Sequence, residues 1–164
     1  MLEIAVDNCV ISIYVAENLR DVKQKEDKEA FEEMISLAEQ GVIELGGPFP
    51  TLMIENLMKS GESRTKAQKL KGIIKYWPVY DPEPKKTKKQ ITCLHKIIQD
   101  PEETDSRQLV LISKCTQARY FVTVDYRFCR QFNHRQKEII NQCGINISVM
   151  RPLDFMRNYR AGKI

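Results

Sequence analysis

The stretch that most constrains the fold is TDSRQLVLISKCTQARYFVTVDYRF, residues 104–128. Its first part predicts a helix with Asp105, Leu109 and Ile112 on one face, because residues three and four apart on a helix are neighbours. The segment 121–124 has the β-branched and aromatic composition of a buried strand, and Asp125 follows it directly. A carboxylate on a buried helix face and another at the end of a core strand are both costly to desolvate. Other carboxylates at strand ends or on buried helix faces are therefore further candidates for a site.

The order of predicted elements is typical of an α/β protein. Strands separated by helical segments predict parallel pairing, so we expect a doubly wound, short, mostly parallel sheet flanked by helices. Ligand sites in such sheets lie beyond the carboxyl ends of the strands. A length of 164 residues predicts one domain, residues 1–164. The predicted strands are residues 3–6, 42–45, 121–124 and 145–149.

Three further segments have helical patterns. Residues 20–29 are so highly charged that they predict either a loop or an exposed helix, ahead of an amphipathic helix at 30–40. Residues 64–76 predict one basic helix, and residues 86–99 predict a helix with a lysine-rich start.

Composition limits the function classes. The formal net charge of +4 permits an anionic partner without requiring one. No apolar run approaches the roughly 20 residues of a membrane span, and the N-terminus lacks the basic region of a secretory signal. Five scattered cysteines argue against a disulfide framework or a zinc ribbon, and for a reducing, cytoplasmic location. Cys93 and His95 have the spacing of a metal-ligand pair, but no second pair accompanies them.

Four carboxylates are the candidate site. Asp7 and Asp125 follow predicted core strands, whereas Glu55 and Asp105 lie beside apolar stripes of predicted helices. If the four converge, they cannot all stay ionised without a cation. Hard oxygen ligands suit Mg²⁺ or Mn²⁺, which polarise a phosphoryl group and activate water.

Each of these acids also has an ordinary structural explanation. Asp7 is a suitable helix N-cap, and Asp105 is favourable near a helix N-terminus. Asp125 is suitable as the first residue of a turn, and Glu55 as a solvated helix residue. Position alone leaves the two interpretations open.

The pattern resembles a PIN domain, a nuclease fold of RNA-processing enzymes and of toxins from toxin–antitoxin pairs. The family has an Asp after the first strand, a Glu in a later helix, an Asp opening another helix, and a T-x-D near the following strand end. The matching segments here, over residues 2 to about 150, are IAVDNCVI, LMIENLM, TDSRQLVLISKC and YFVTVDYRF. Asn8 replaces the usual hydroxyl residue, Ser106 follows the third acid in place of the usual small residue, and Arg127 stands where many members have a further acid. Whether one or two metal ions bind is therefore open.

The resemblance implies a metal-dependent endoribonuclease. Asp7, Glu55, Asp105 and Asp125 would hold Mg²⁺ or Mn²⁺, and an activated water would cleave an RNA phosphodiester to leave a 5′-phosphate. Asn8 and Thr123 would orient carboxylates or water. We expect basic side chains to contact the RNA backbone without reading its sequence. These candidates are Lys85, Lys86, Lys88, Lys89, Arg127 and Arg130.

The sequence also allows predictions about protein partners and about alternative functions. The resemblance implies an antitoxin-like protein if the chain is a toxin, and homodimers are usual in the family. A catalytically inactive module of the same fold that binds RNA or protein is the main alternative. A phosphoacceptor or phosphatase domain is a third, but Asp7-Asn8-Cys9 lacks the paired acids of a receiver and the D-x-D of a haloacid-type phosphatase.

Overall fold

A computed structural model describes residues 1–47, 64–99 and 104–164. Within these ranges the chain forms five strands and eight helices. The strands are β1 (Leu2–Val6), β2 (Ile43–Gly47), β3 (Lys75–Tyr76), β4 (Tyr120–Val122) and β5 (Ser148–Met150). The helices are α1 (Asn8–Val15), α2 (Val22–Glu39), α3 (Arg64–Ile73), α4 (Pro84–Ile97), α5 (Thr104–Cys115), α6 (Tyr126–His134), α7 (Gln136–Cys143) and α8 (Pro152–Arg160).

The strands form one sheet in the order β3-β2-β1-β4-β5, and all pairs are parallel. From β1 the chain first extends the sheet through β2 and β3, and then returns to add β4 and β5 on the other side of β1. The strand order therefore reverses between β1 and β4, which is where ligands bind in open α/β sheets. The predicted doubly wound α/β fold is confirmed.

Two hydrophobic clusters cover the two faces of the sheet. Neighbouring residues of a strand point to opposite faces, and in β1 Ile4 belongs to one cluster while Ala5 belongs to the other. Phe31 of α2 and Phe155 of α8 pack on the first face, with α1 and α3. Leu109 of α5 packs on the second face, with α4, α6 and α7.

The end of β2 is shaped by close contact with a tryptophan. Trp77 donates a hydrogen bond from Nε1 to Glu44 Oε2 at 3.0 Å, and its ring lies against Gly46. A Cβ placed on Gly46 would lie 2.3 Å from Trp77 Cε2, a distance that no side chain tolerates. The glycine is therefore required by packing.

Several sequence predictions need correction. Residues 75–76, predicted as helix, pair with β2 as β3, because helix α3 ends at Ile73. Residues 20–29, predicted as a loop or an exposed helix, belong to α2 from Val22 onward and contain the fully buried Asp27. Helix α6 was not predicted at all.

The cysteine prediction is wrong for two residues. Cys93 of α4 and Cys143 of α7 form a disulfide, with their Cα atoms 5.7 Å apart. They lie 50 residues apart in the sequence, so only the packing of α4 against α7 brings them together. Cys93 therefore offers no free thiolate for a metal. No helix in the described ranges is long and apolar enough to cross a membrane.

Candidate active site at the carboxyl edge of the sheet

Asp7 lies at the junction of β1 and α1, and it is only 8% exposed. Although it occupies the N-cap position of α1, its side chain makes no capping hydrogen bond. Instead Oδ2 accepts a hydrogen bond from Thr123 Oγ1 at 2.8 Å and one from Cys9 Sγ at 3.3 Å. Helix capping therefore does not explain this carboxylate.

Thr123 connects the ends of the two central strands. Its side chain is fully buried, and its Oγ1 both donates to Asp7 and accepts from the Asp125 N–H at 3.0 Å. Its own N–H donates to Met150 O, the last residue of β5, at 3.0 Å. One hydroxyl thus links the residues that follow β1 and β4.

Asp125 begins helix α6. Its Oδ1 accepts the N–H of Phe128 at 3.1 Å, which makes it a true N-cap. The prediction that Asp125 follows the core strand at once needs adjustment, since β4 ends at Val122 and two further buried residues intervene. The ordinary explanation of Asp125 as a local turn former is partly right, because capping uses one of its oxygens.

Burial makes the charge on Asp7 costly. The pKa of Asp7 is raised, chiefly by desolvation, and the nearby charge of Asp125 adds to the effect. Hydrogen bonds from Thr123, from Cys9 and from the backbone of Asn8 oppose it. A buried carboxylate beside a second one is the electrostatic setting in which a cation binds favourably.

Cys9 was missed by the sequence interpretation. Its sulfur lies 3.3 Å from Asp7 Oδ2, 3.4 Å from Thr123 Oγ1 and 3.4 Å from the Val124 nitrogen. Burial and the Asp7 charge raise its pKa to about 12, so it is a neutral thiol near pH 7. The only signal in the sequence was its place two residues after Asp7, in the first turn of α1.

The structure gives less information on the positions of Asp105 and Glu55. Asp105 is half-buried in the first turn of α5. Four residues separate the end of α5 from the start of β4, and a crossover helix that runs antiparallel to the strands begins near their carboxyl edge. Glu55 lies outside the described residues. Among those described, no three His, Cys, Asp or Glu side chains form a group that could hold a metal.

The donor chemistry fits a hard cation in part. Asp7 and Asp125 supply carboxylate oxygens at one edge of the sheet, and Thr123 fixes the first of them. Oxygen ligands of this type are those that Mg²⁺ takes, usually with one or two carboxylates and several waters. Asn8 opens α1 beside Asp7, and its backbone rather than its side chain contacts that carboxylate.

The predicted basic contacts are all exposed, on two helices. Arg127 and Arg130 lie on α6, which begins next to Asp125. The four predicted lysines lie on the first two turns of α4. Lys86 pairs with Glu83 at 3.8 Å. The lysines in question are Lys85, Lys86, Lys88 and Lys89.

A buried ionic cluster next to the site also escaped the sequence interpretation. Asp27 of α2 is fully buried and accepts hydrogen bonds from Tyr126 Oη at 2.7 Å, Arg151 Nε at 3.0 Å and the Leu153 N–H at 3.1 Å. Lys23 and Arg151 both lie over the ring of Tyr126. This cluster holds Tyr126, the first residue of α6 and the neighbour of Asp125, against α2 and α8.

Comparison of the chain with protein-family models, with curated proteins and with solved structures gave no match to any of them.

Proposed function

We propose that this protein is a metal-dependent ribonuclease of the PIN type. The observation that carries the proposal is the pair Asp7 and Asp125 at the carboxyl ends of adjacent strands, at the point where the strand order reverses. A single buried hydroxyl, that of Thr123, contacts both residues. Asp7 has no structural use as a helix cap, which favours a functional role for its charge.

In this proposal Asp7 and Asp125 hold Mg²⁺ or Mn²⁺, and Asp105 and Glu55 complete the ligand set. The bound metal would polarise the scissile phosphodiester and lower the pKa of an attacking water. Thr123 keeps the Asp7 carboxylate oriented, while the neutral Cys9 thiol donates to the same oxygen. Arg127 and Arg130, just beyond Asp125, position the phosphodiester backbone by charge.

Two other functions make different predictions. A catalytically inactive module of this fold would bind RNA or protein without cleavage. A phosphoacceptor receiver domain would have the strand order 2-1-3-4-5, which differs from the order 3-2-1-4-5 of this sheet. The sheet order therefore argues against a receiver domain. An antitoxin-like partner and a homodimer belong to the same proposal. The Cys93–Cys143 disulfide removes the cysteine argument for a cytoplasmic location.

The test is cleavage of a mixed RNA pool in Mn²⁺ or Mg²⁺ and in chelator. Wild type is compared with Asp125→Asn, which keeps the capping oxygen and removes the charge. Asp21→Asn is the matched control, because Asp21 caps α2 by the same type of bond, to the Gln24 N–H at 3.0 Å. Cleavage that needs metal, survives in Asp21→Asn and is lost in Asp125→Asn supports the proposal. Equal cleavage by both variants, or cleavage in chelator, contradicts it.

Binding of the metal can be measured without RNA. A ligand that binds only the folded state stabilises it by about 2.7 kcal/mol at one hundred times its dissociation constant. Mn²⁺ should therefore raise the unfolding temperature of wild type and of Asp21→Asn, and raise that of Asp125→Asn much less. Absence of cleavage together with normal RNA binding by wild type would favour the inactive module.

A further inference from the structure

A groove of about 620 Å³ runs between α4 and α7, on the second face of the sheet. Four exposed lysines of α4 line it, together with the half-buried Cys93. No carboxylate is among the described lining residues. The four lysines are Lys85, Lys88, Lys89 and Lys96, and Ile97 and Gln142 also line the groove.

The lysines are arranged in a row. Lys85, Lys89 and Lys96 lie four and seven residues apart, which places them on one face of a helix. At 1.5 Å per residue the row extends over roughly 16 Å. The phosphates of one strand of a DNA duplex are spaced about 3.4 Å along the helix axis, so the row spans roughly five such spacings.

The groove is held in shape by contacts between its walls. The Cys93–Cys143 disulfide joins α4 to α7, and Gln90 Nε2 donates to Cys143 O at 3.2 Å. At the start of α4, Lys114 Nζ donates to Thr87 Oγ1 at 2.8 Å and to Glu83 O at 3.1 Å. These contacts fix the position of the α4 backbone that carries the lysines.

The charged surface continues toward the candidate active site. A second groove of about 470 Å³ lies between α4 and α5, and Lys88 and Thr92 line both grooves. Arg107 and Asp81 also line the second groove. Asp81 pairs with Lys114 at 3.5 Å, and Arg107 lies two residues after Asp105. Basic side chains thus lead from the first groove to the helix that carries a predicted metal ligand.

We propose that the groove between α4 and α7 binds the phosphodiester backbone of an RNA strand that extends beyond the carboxylate site. This inference rests on the proposed ribonuclease function. Lysine ammonium groups contact phosphates without reading bases, so the groove adds affinity for longer RNA and no sequence preference. Lys96, which the sequence did not single out, is part of the row.

The test measures RNA binding in chelator, where a metal-dependent nuclease is inactive. Fluorescence anisotropy with a labelled 20-nucleotide RNA (about four times the length of the row) compares wild type with two triple variants. The groove variant is Lys85→Gln, Lys89→Gln and Lys96→Gln. The control variant is Lys71→Gln, Lys75→Gln and Lys163→Gln, three exposed lysines outside the groove. Both variants lower the formal net charge from +4 to +1.

The groove variant should bind RNA about tenfold or more weakly than the control variant, with an unchanged unfolding temperature. The slope of log affinity against log salt should fall in magnitude by about 2, because each lost contact to single strands removes about 0.7. In Mn²⁺ the KM for the same RNA should rise while kcat stays near the wild-type value.

The outcomes separate this inference from the proposed function. Equal RNA affinity of the two variants overturns the groove, and is also the result expected if an acidic protein binds there. If wild type cleaves RNA but the two variants bind it equally well, the groove proposal is contradicted and the ribonuclease proposal is unaffected. If only the groove variant loses RNA binding and wild type does not cleave RNA, the groove proposal is supported and the ribonuclease proposal is contradicted. No RNA binding by wild type overturns the groove.

Discussion

The hydroxyl of Thr123 donates to the carboxylate of Asp7 at 2.8 Å across 116 positions of sequence. The bond joins the end of β1 to the end of β4, and both side chains are buried. A threonine in a strand is ordinarily favoured for its β-branched shape. Here its hydroxyl, together with the Cys9 thiol, donates to the buried carboxylate of Asp7.

Thr123→Val should separate shape from hydrogen bonding. Valine fills nearly the same volume but leaves the buried Asp7 oxygen without this donor, which should lower the free energy of unfolding by about 1–3 kcal/mol. Thr123→Ser keeps the hydroxyl and should cost less. Urea unfolding of the three proteins measures both effects, and equal stability of the Val and Ser variants would contradict the assigned role.

Asp7→Asn should stabilise the protein at neutral pH. The pKa of Asp7 is raised by burial in the folded state, so wild-type stability falls as pH rises from the ordinary value of 3.8 through the raised pKa. Asparagine keeps an acceptor oxygen for Thr123 and removes that dependence. We expect a higher free energy of unfolding than wild type at pH 7 and almost no difference below pH 3.8.

Urea unfolding between pH 3 and pH 8 checks this, with Asp21→Asn as an exposed control. In the same series Asp7→Asn should lose metal-dependent cleavage. A variant that gains stability while losing activity is the signature of a residue kept for function. A loss of stability at pH 7 would show that the Asp7 charge is structural.

The local parts of the fold were predictable from the sequence. Residues 104–115 combine an acidic first turn with an apolar stripe, and they form α5. The apolar run at 121–124 overlaps β4. These elements depend on neighbours in the sequence, which a pattern can register. Asp7 and Asp125 were singled out because they follow strand ends, where open α/β sheets bind ligands, whereas Thr123 was singled out only by the resemblance to the T-x-D of PIN domains.

The parts that were missed depend on distant partners. Lys75–Tyr76 is a strand only because β2 lies beside it, and both of its residues are exposed. Asp27 lies in a run of charged residues, and its burial follows from Arg151, 124 positions away. No spacing rule along the chain reports such contacts.

Asp27→Ala should be strongly destabilising. It removes the acceptor for Tyr126, Arg151 and the Leu153 N–H, and it leaves the Arg151 guanidinium partly buried without its partner. Breaking a buried ion pair from one side costs about 3–5 kcal/mol. Chemical denaturation provides the measurement, and Glu29→Ala, an exposed position on the same helix, should change stability by no more than about 0.5 kcal/mol. Similar values for the two variants would argue against the buried cluster.

Removing the Cys93–Cys143 disulfide should lower the unfolding temperature. The bond closes a segment with a sequence separation of 50 residues, and the chain-entropy model gives about 4 kcal/mol for a loop of that size as an upper value. Cys93→Ser and Cys143→Ser should have equal effects, and a thiol reductant should bring wild type to the same level while leaving both variants unchanged. Cys115→Ser, at a free cysteine, is the control and should stay close to wild type. The expectation is contradicted if the reductant does not change the unfolding temperature of wild type and this temperature equals that of both serine variants. The two helices would then be held together without the disulfide, by contacts such as that of Gln90 with Cys143 O.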